Sequence, residues 1–259
     1  MDLKLRGRTA LVTGASKGIG LGIAQWFARE GVNLCLVARS GDVLDREAQA
    51  IRASSQVNVQ TRGVDLSDPK ARRAVFEAFS DVDILVNNAG AVPGGAIEDV
   101  SEAAWRTGWD LKVFGYVDMT RHYLERMKAR QRGVILNIIG AGGERLTYGY
   151  IAGSAGNASL MAFTRAIGGT SPNFGVRVLG INPGPVETER VETLARQRAA
   201  KAGDESKWRE SFAKMPFGRP ATTDEIAATA VFLTSDLCGY TSGTIVTIDG
   251  GMTNRGELA

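Results

Sequence analysis

The chain contains few of the residues from which metal sites are built. Its 259 residues include one histidine, His122, and two cysteines, Cys35 and Cys238, which lie far apart and have no C-x-x-C spacing. Zinc-type sites need several such ligands close together. The sequence therefore predicts no metal site and two reduced thiols in apolar surroundings, as in a cytoplasmic protein.

Long apolar runs and clusters of one charge are also lacking. No run approaches the roughly 18 apolar residues of a membrane helix, and the first residues show no charged head followed by an apolar export segment. Lys and Arg outnumber Asp and Glu by only 31 to 28, and the excess is spread along the chain. We therefore expect a cytoplasmic protein with neither a membrane nor a nucleic acid as partner.

The chain does contain alternating strand and helix patterns. Short β-branched and apolar runs predict seven strands, at residues 9–13, 33–37, 57–64, 84–87, 134–139, 176–181 and 244–248. Apolar residues at three- and four-residue intervals predict helices between them, at residues 20–30, 43–54, 70–79, 104–128, 155–167 and 224–233. Strands that are apolar nearly throughout need cover on both faces. This order predicts one α/β domain over residues 1–259, with a doubly wound parallel sheet and helices on both faces.

A glycine-rich turn follows the first predicted strand. Residues 13–20 read TGASKGIG, and a predicted helix follows directly. Glycines at this spacing allow a tight turn and let backbone N–H groups approach a pyrophosphate at the helix N-terminus. The turn therefore predicts a dinucleotide site.

With four later motifs, the turn resembles the classical short-chain dehydrogenase/reductase family over nearly the full chain. These motifs are VDLSD at 64–68, NNAG at 87–90, PGPVET at 183–188 and SGTIVTIDGG at 242–251. The resemblance implies a Rossmann-type fold that assembles as a homotetramer or dimer. It also implies a set of cofactor-binding residues: Gly14, Ser16, Lys17, Gly18, Ile19, Gly20, Arg39, Asp65, Leu66, Asn88, Ala89, Gly90, Pro183, Gly184, Val186 and Thr188.

The end of the second strand bears on which dinucleotide is bound. NAD-specific members usually carry an acidic residue there, whereas this chain has Ala38 and Arg39 in LVARS. Lys17 and Arg39 could both face a 2′-phosphate, which suits a guanidinium fork. We therefore expect NADP(H) rather than NAD(H); the alternative is that both cations are simply solvated.

The catalytic residues implied by the resemblance are replaced. Family members share a serine after strand five, a tyrosine about thirteen residues later, a lysine four further on and an asparagine on the preceding helix. The corresponding residues here are Gly140, Gly153, Asn157 and Asp110. In the family the tyrosine passes a proton to or from the substrate oxygen, and the lysine lowers the tyrosine pKa and binds the nicotinamide ribose. We therefore expect an atypical active site that needs another proton donor, although the Asn157 amide could still bond the ribose.

Tyr150 is the first candidate for that donor. It lies three residues before Gly153, so its phenol would have to move back by about one helical turn, roughly 5 Å, into the space that the glycine leaves. The alternative is that Tyr150 packs against the helix start. Ser154 could bond a substrate oxygen, or could instead be an N-cap.

Two further groups of charges lie near the expected substrate. Asp110 could act as a base or could pair with Lys112 or Arg145. Residues 188–216 form the variable lid over the substrate in the family, and here the first part of the lid is basic. Its basic residues are Arg190, Arg196, Arg198 and Lys201. They favour an anionic small-molecule substrate, or they are a solvated helix face.

Three functions remain open. The first is an NADP(H)-dependent oxidoreductase acting on a small carbonyl or alcohol with a non-standard proton donor. The second is an NADP(H)-binding sensor, or the non-catalytic subunit of a complex. The third is a lyase or isomerase that leaves the cofactor unreduced.

Overall fold

A computed structural model of the chain describes residues 1–256, apart from the side chain of Arg198, and contains one seven-stranded parallel sheet. The strands are β1 (Thr9–Thr13), β2 (Asn33–Ala38), β3 (Val59–Gly63), β4 (Ile84–Asn87), β5 (Gly133–Ile138), β6 (Val176–Pro183) and β7 (Ile245–Ile248). Their order is β3-β2-β1-β4-β5-β6-β7, and all neighbours are parallel. The predicted doubly wound sheet is confirmed.

Helices cover both faces of this sheet. They are α1 (Gly18–Arg29), α2 (Gly41–Ser54), α3 (Pro69–Ala78), α4 (Glu102–Trp109), α5 (Gly115–Ala129), α6 (Ile151–Thr170), α7 (Glu189–Lys201), α8 (Glu210–Ala213) and α9 (Thr223–Thr234). Successive strand residues point to opposite faces. Ala10 and Val12 of β1 therefore pack with Phe27 of α1, while Leu11 packs with Val75 of α3 and Tyr123 of α5. This alternation explains why the strands are apolar nearly throughout.

The predicted helix 104–128 is interrupted. Between α4 and α5, Asp110–Phe114 forms a wide π turn. Such turns occur inside α-helices and are frequent at functional sites. Here the turn lets Trp109 Nε1 donate to the Ala152 carbonyl at 3.0 Å while Lys112 points toward the end of β5.

Neither cysteine forms a disulfide in the described part of the chain. Cys35 is buried, and burial raises the pKa of its thiol to about 11. Cys238 is only half-buried, which differs from the predicted core position. Among the described residues, no cluster of three or more His, Cys, Asp or Glu side chains is arranged to hold a metal. No helix within residues 1–256 has the length and apolar character needed to span a membrane.

Candidate active site

A cleft of about 950 Å³ opens at the carboxyl ends of the central strands. The strand order reverses between β1 and β4, and ligands of doubly wound sheets bind at such a reversal. We call one part the adenosine half; it is lined by residues of the glycine turn from 14 to 22 and by residues between 38 and 47. The nicotinamide half is lined by residues 90, 112, 138–140 and the segment between 183 and 190.

Hydrogen bonds lock the glycine turn to the end of β4. The Thr13 hydroxyl accepts from the backbone N–H groups of Asn88 and Ala89, at 2.9 and 3.0 Å. The Asn88 side-chain amide donates to the carbonyls of Thr13 and Gly14, at 2.9 and 3.2 Å. The walls of the cleft are therefore fixed on both sides of the reversal point.

The glycine turn leaves room for a phosphate. Gly14 and Gly18 have φ of +67° and +58°, a conformation that favours glycine. A Cβ on Gly20 would lie 2.3 Å from the Gly14 oxygen and 2.5 Å from Asn88 Nδ2. Helix α1 begins at Gly18, and its first N–H groups have no intrahelical acceptors. These features fit the pyrophosphate of a dinucleotide.

Most of the residues predicted to bind the cofactor line this cleft. They are Gly14, Ser16, Lys17, Gly18, Ile19, Arg39, Leu66, Asn88, Ala89, Gly90, Pro183, Gly184 and Thr188. Three others do not. Gly20 lies beneath the turn, and Val186 is buried beside Ala221. The Asp65 carboxylate accepts from the Ser67 N–H at 2.9 Å, a bond that lowers the pKa of Asp65.

The two predicted phosphate-binding cations differ in their surroundings. Arg39 is exposed at the adenosine half, where Arg46 also lines the cleft. Lys17 instead donates to Glu189 of α7 at 2.7 Å, and this bond lowers the pKa of Glu189. The two side chains of the pair are 71% and 78% exposed, so water screens it and the pair is weak. Lys17 can therefore exchange Glu189 for a ligand at little cost.

Next to the nicotinamide half, glycines make room for Tyr150 and Asn157, neither of which is among the residues that line the cleft. A Cβ on Gly153 would lie 2.0 Å from Cζ of Tyr150, so the phenol ring occupies the space beside that glycine. A Cβ on Gly142 would lie 3.3 Å from the same ring and 3.5 Å from Asn157 Nδ2. A Cβ on Gly140 would lie 3.0 Å from that amide nitrogen. The two predicted side chains therefore converge beside residues 140–142.

The helix that carries these residues begins earlier than predicted. Helix α6 starts at Ile151, with Tyr150 at the N-cap position, so Ser154 is not an N-cap. Ser154 is buried and outside the cleft lining, and its hydroxyl accepts from the Thr147 N–H at 3.4 Å. The backbone at Tyr150 is held in place, because Tyr150 N–H donates to the Thr147 carbonyl at 3.0 Å and Ile151 N–H donates to the Gly95 carbonyl at 3.3 Å.

Asp110 was considered either as a base or as a partner of Lys112 or Arg145, and its position in the described structure supports neither role. It is exposed at the start of the π turn and does not line the cleft. Lys112, two residues on, is buried and does line the cleft. Its Nζ donates to the Ile138 carbonyl at 2.7 Å and to the Tyr116 hydroxyl at 2.9 Å, instead of pairing with Asp110.

Lys112 is a functional candidate that the sequence pattern alone did not single out. Burial, and then the positive charge of Arg190, lowers its pKa from 10.5 to about 7. The sequence held a signal, since Lys112 continues the helical spacing of the apolar stripe Tyr116, Met119 and Tyr123, all of which are buried. A lysine within an apolar stripe needs a polar partner in the interior.

The lid consists of α7, the single turn of α8 and short 3-10 segments. Of its basic residues, Arg190 lines the cleft and donates to the Val92 carbonyl at 3.1 Å. Arg196 pairs with Glu192 at 2.8 Å and faces Trp208, away from the cleft lining. The side chain of Arg198 lies outside what the structure describes. Arg145 is exposed on the loop after β5.

Comparison with known proteins identifies the family. The sequence model of a family described as "Enoyl-(Acyl carrier protein) reductase" matches residues 14–253. The galactitol 2-dehydrogenase (L-tagatose-forming) of Cereibacter sphaeroides is 34% identical, over 96% of each chain. The D-beta-hydroxybutyrate dehydrogenase of Cupriavidus necator is also 34% identical, over 95% of this chain and 98% of the relative. The chain belongs to the short-chain dehydrogenase/reductase family.

Solved structures agree with this assignment. The L-sorbose reductase of Gluconobacter frateurii, solved with NADPH and L-sorbose, superposes with a TM-score of 0.92 at 31% identity. The match covers 98% of this chain and all of the reductase. These relatives are oxidoreductases that act on small molecules, namely a sugar, a polyol and a hydroxy acid.

Proposed function

We propose that the protein is an NADP(H)-dependent oxidoreductase for a small carbonyl or alcohol, with Tyr150 as its proton donor. The observation that carries this proposal is the Tyr150 ring, which lies over Gly153 and next to Gly142, two residues from Gly140 in the lining of the cleft. When bound, the nicotinamide would exchange a hydride with the substrate carbon.

The adenosine half supports NADP(H). Arg39 stands exposed at the end of β2, and Lys17 is bound only by a weak surface pair. Both could donate to a 2′-phosphate, for which a guanidinium is well suited. One sugar-reductase relative was solved with NADPH.

Residues of this chain would provide the proton and orient the substrate. Tyr150 would donate a proton to the substrate oxygen, and Asn157 would hold the ribose hydroxyls through its uncharged amide. Arg190, which lines the cleft, favours an anionic substrate such as a 3-oxo acid. Self-association is part of the proposal, supported by the edge strand β7, whose four residues are all half-buried.

A cofactor-binding protein without turnover is the competing function. The glycines at 140 and 153 favour it, because a glycine offers no side-chain group that could bond a substrate oxygen. Both functions require that NADP(H) binds, so only turnover separates them.

The test compares Tyr150→Phe with Tyr148→Phe. NADPH oxidation would be followed with a ketose, a 3-oxo acid, an aldehyde and an enone. Loss of a proton donor typically costs about a hundred- to ten-thousandfold in rate, so we expect kcat to fall at least about a hundredfold in Tyr150→Phe while the NADPH Kd stays unchanged. Tyr148 is exposed and bonds Glu98 at 2.6 Å rather than lying over Gly153, so its variant is the matched control.

A second variant tests the position of the ring. Gly153→Ala places a methyl group 2.0 Å from Tyr150 Cζ and must displace the phenol. We expect it to lower kcat as Tyr150→Phe does. An unchanged kcat in both variants would exclude Tyr150 as the donor, whereas NADPH binding without turnover on any substrate would support the competing function.

A further inference from the structure

The position of Lys112 places a cation at the nicotinamide half. Its side chain extends from the π turn to the carboxyl end of β5, where Nζ donates to the Ile138 carbonyl at 2.7 Å. Ile138 lies two residues before Gly140, whose Cβ would meet the Asn157 amide at 3.0 Å. Lys112 and Asn157 therefore approach the same end of one strand.

The neighbouring backbone is shaped to admit this lysine. A Cβ on Gly90 would lie 2.4 Å from Cδ and 3.3 Å from Nζ of Lys112. Gly90, Lys112 and Ile138 all line the cleft. The ammonium therefore stands in the cleft wall, between the ends of β4 and β5.

The hydrogen bonds of Nζ leave a donor for a ligand. An ammonium has three N–H donors. In the described part of the chain, two of them are used, by the Ile138 carbonyl and the Tyr116 hydroxyl at 2.9 Å. The Tyr116 hydroxyl in turn donates to the same carbonyl at 2.8 Å, so the Ile138 carbonyl already accepts two hydrogen bonds. One N–H of Lys112 remains for a bound molecule.

Electrostatics also indicate that a partner is supplied on binding. A buried charge is costly unless it is paired. The groups that face Lys112 are Tyr116 on α5 and Arg190 on α7, and neither is an anion at neutral pH. A dinucleotide brings hydroxyls and negative phosphates, which would offset both the burial and the repulsion by Arg190.

We propose that Lys112 is the cation that binds the nicotinamide ribose in this protein, replacing the lysine that the family resemblance implies at position 157. This inference rests on the proposed function, because it requires NADP(H) in the cleft. The ammonium has moved from α6 to the π turn, and Asn157 keeps an uncharged amide beside it. Lys112 is thus a cofactor-binding residue of the catalytic centre as well as a link between α5 and β5.

The test exchanges the two side chains and measures binding of NADPH. The Kd would be determined by NADPH fluorescence at several values between pH 7 and 9, for the wild type, Lys112→Asn and the swap Lys112→Asn/Asn157→Lys. Because hydrogen bonds to charged groups are strong, we expect Lys112→Asn to weaken binding by about tenfold to a hundredfold. The swap should restore binding to within about threefold of the wild type, since it returns an ammonium to the same end of β5.

The pH dependence provides a readout that a purely structural role would not produce. Wild-type affinity should fall as Lys112 loses its proton on going from pH 7 to pH 9, and Lys112→Asn should lack that dependence. Lys112→Met, which keeps the apolar stem, replaces the asparagine variant if the latter does not fold. Lys128→Asn, at an exposed lysine near the other end of α5, is the matched control and should bind like the wild type.

The outcomes separate this inference from the proposed function. If the wild type binds neither NADPH nor NADH, the proposed function fails and this inference fails with it. If the wild type binds NADPH but every Lys112 variant binds equally well, with the same pH dependence, only the role of Lys112 is overturned. A weakened Lys112→Asn that the swap does not rescue would overturn the exchange of roles between positions 112 and 157.

Discussion

The two halves of the cleft differ in what their expected function depends on, which is backbone shape in one half and side chains in the other. In the adenosine half, the shape of the backbone is decisive, because the glycine turn, the first N–H groups of α1 and the bonds between Thr13 and Asn88 form the expected pyrophosphate site. In and beside the nicotinamide half, the proposed chemistry depends on side chains instead: Lys112 of the π turn, Tyr150 and Asn157 at α6, and Arg190 of α7. A site formed by backbone groups depends on a few glycines that cannot be replaced. A site formed by side chains can acquire the same group from a neighbouring position.

The largest expected effect comes from breaking the backbone half. Gly20→Ala would place a methyl group 2.3 Å from the Gly14 oxygen and 2.5 Å from Asn88 Nδ2. Overpacking of this kind typically costs about 1–3 kcal/mol, and more where backbone must move. We expect such a loss in the free energy of unfolding, together with a loss of NADPH affinity of about tenfold or more.

Chemical unfolding and NADPH titration would measure both effects. Gly169→Ala is the control, because a Cβ added to Gly169 of helix α6 would meet no atom beyond its own helix within 4 Å. Unchanged binding in Gly20→Ala would show that the adenosine half tolerates backbone shifts, which would weaken the contrast between the two halves.

A smaller effect is expected from the buried charge of the side-chain half. The pKa of Lys112 is lowered from 10.5 to about 7. Between these values the unfolded chain binds more protons than the folded protein, so stability rises with pH, by at most about 1.4 kcal/mol per pH unit. Lys112→Met lacks this dependence. The unfolding free energy of Lys112→Met minus that of the wild type should therefore be larger at pH 7.5 than at pH 8.5, by about 1 kcal/mol.

Unfolding by denaturant at the two pH values measures that difference. Burial raises the pKa of the neighbouring Tyr116 well above its ordinary value, so that phenol does not contribute to the difference. If the variant and the wild type differ by the same unfolding free energy at pH 7.5 and at pH 8.5, Lys112 keeps its ordinary pKa in the folded protein.

The smallest effect is expected where the two halves meet. Glu189 of α7 holds Lys17 of the glycine turn by an exposed ion pair. Glu189→Gln should free Lys17 and strengthen NADPH binding by about two- to fivefold, the range typical of exposed pairs. Titration at low and moderate salt would show it, and Glu192→Gln, which affects only the pair with Arg196 at 2.8 Å, is the control. Weaker binding in Glu189→Gln would mean that the carboxylate orders the turn.

Sequence reasoning succeeded where the signal was periodic or was carried by glycine. The alternation of strands and helices predicted the sheet, because buried parallel strands must be apolar on both faces. TGASKGIG predicted the turn, because few residues other than glycine fit its backbone. Two positions were considered for Tyr150, the gap left by Gly153 and a place against the helix start; the structure puts the ring over Gly153 in the first turn of α6, which fits both. Proton transfer by Tyr150 stays a prediction.

The errors arose where the register of a helix decides which side chains point inward. A regular helix over 104–128 was expected, and the spacing of its apolar residues did not predict the π turn at Asp110–Phe114. Asp110 was considered for the site because of its charge, although Lys112 shares the buried stripe with Tyr116. Ser154 was considered as an N-cap, whereas the N-cap position of α6 is Tyr150, four residues earlier. Side-chain direction, rather than residue type, was the missing information.

Because of the π turn, the number of residues between Trp109 and Gly115 decides which side chains reach the cleft and α6. It allows Trp109 to reach Ala152 and Lys112 to reach Ile138 at the same time. One residue of an α-helix corresponds to about 100° of rotation. A single deletion between Trp109 and Gly115 would turn one helix against the other and remove one of these contacts. Insertions and deletions in this segment would therefore act like substitutions in the cleft, and in evolution a change of length here could alter activity while every motif stayed intact.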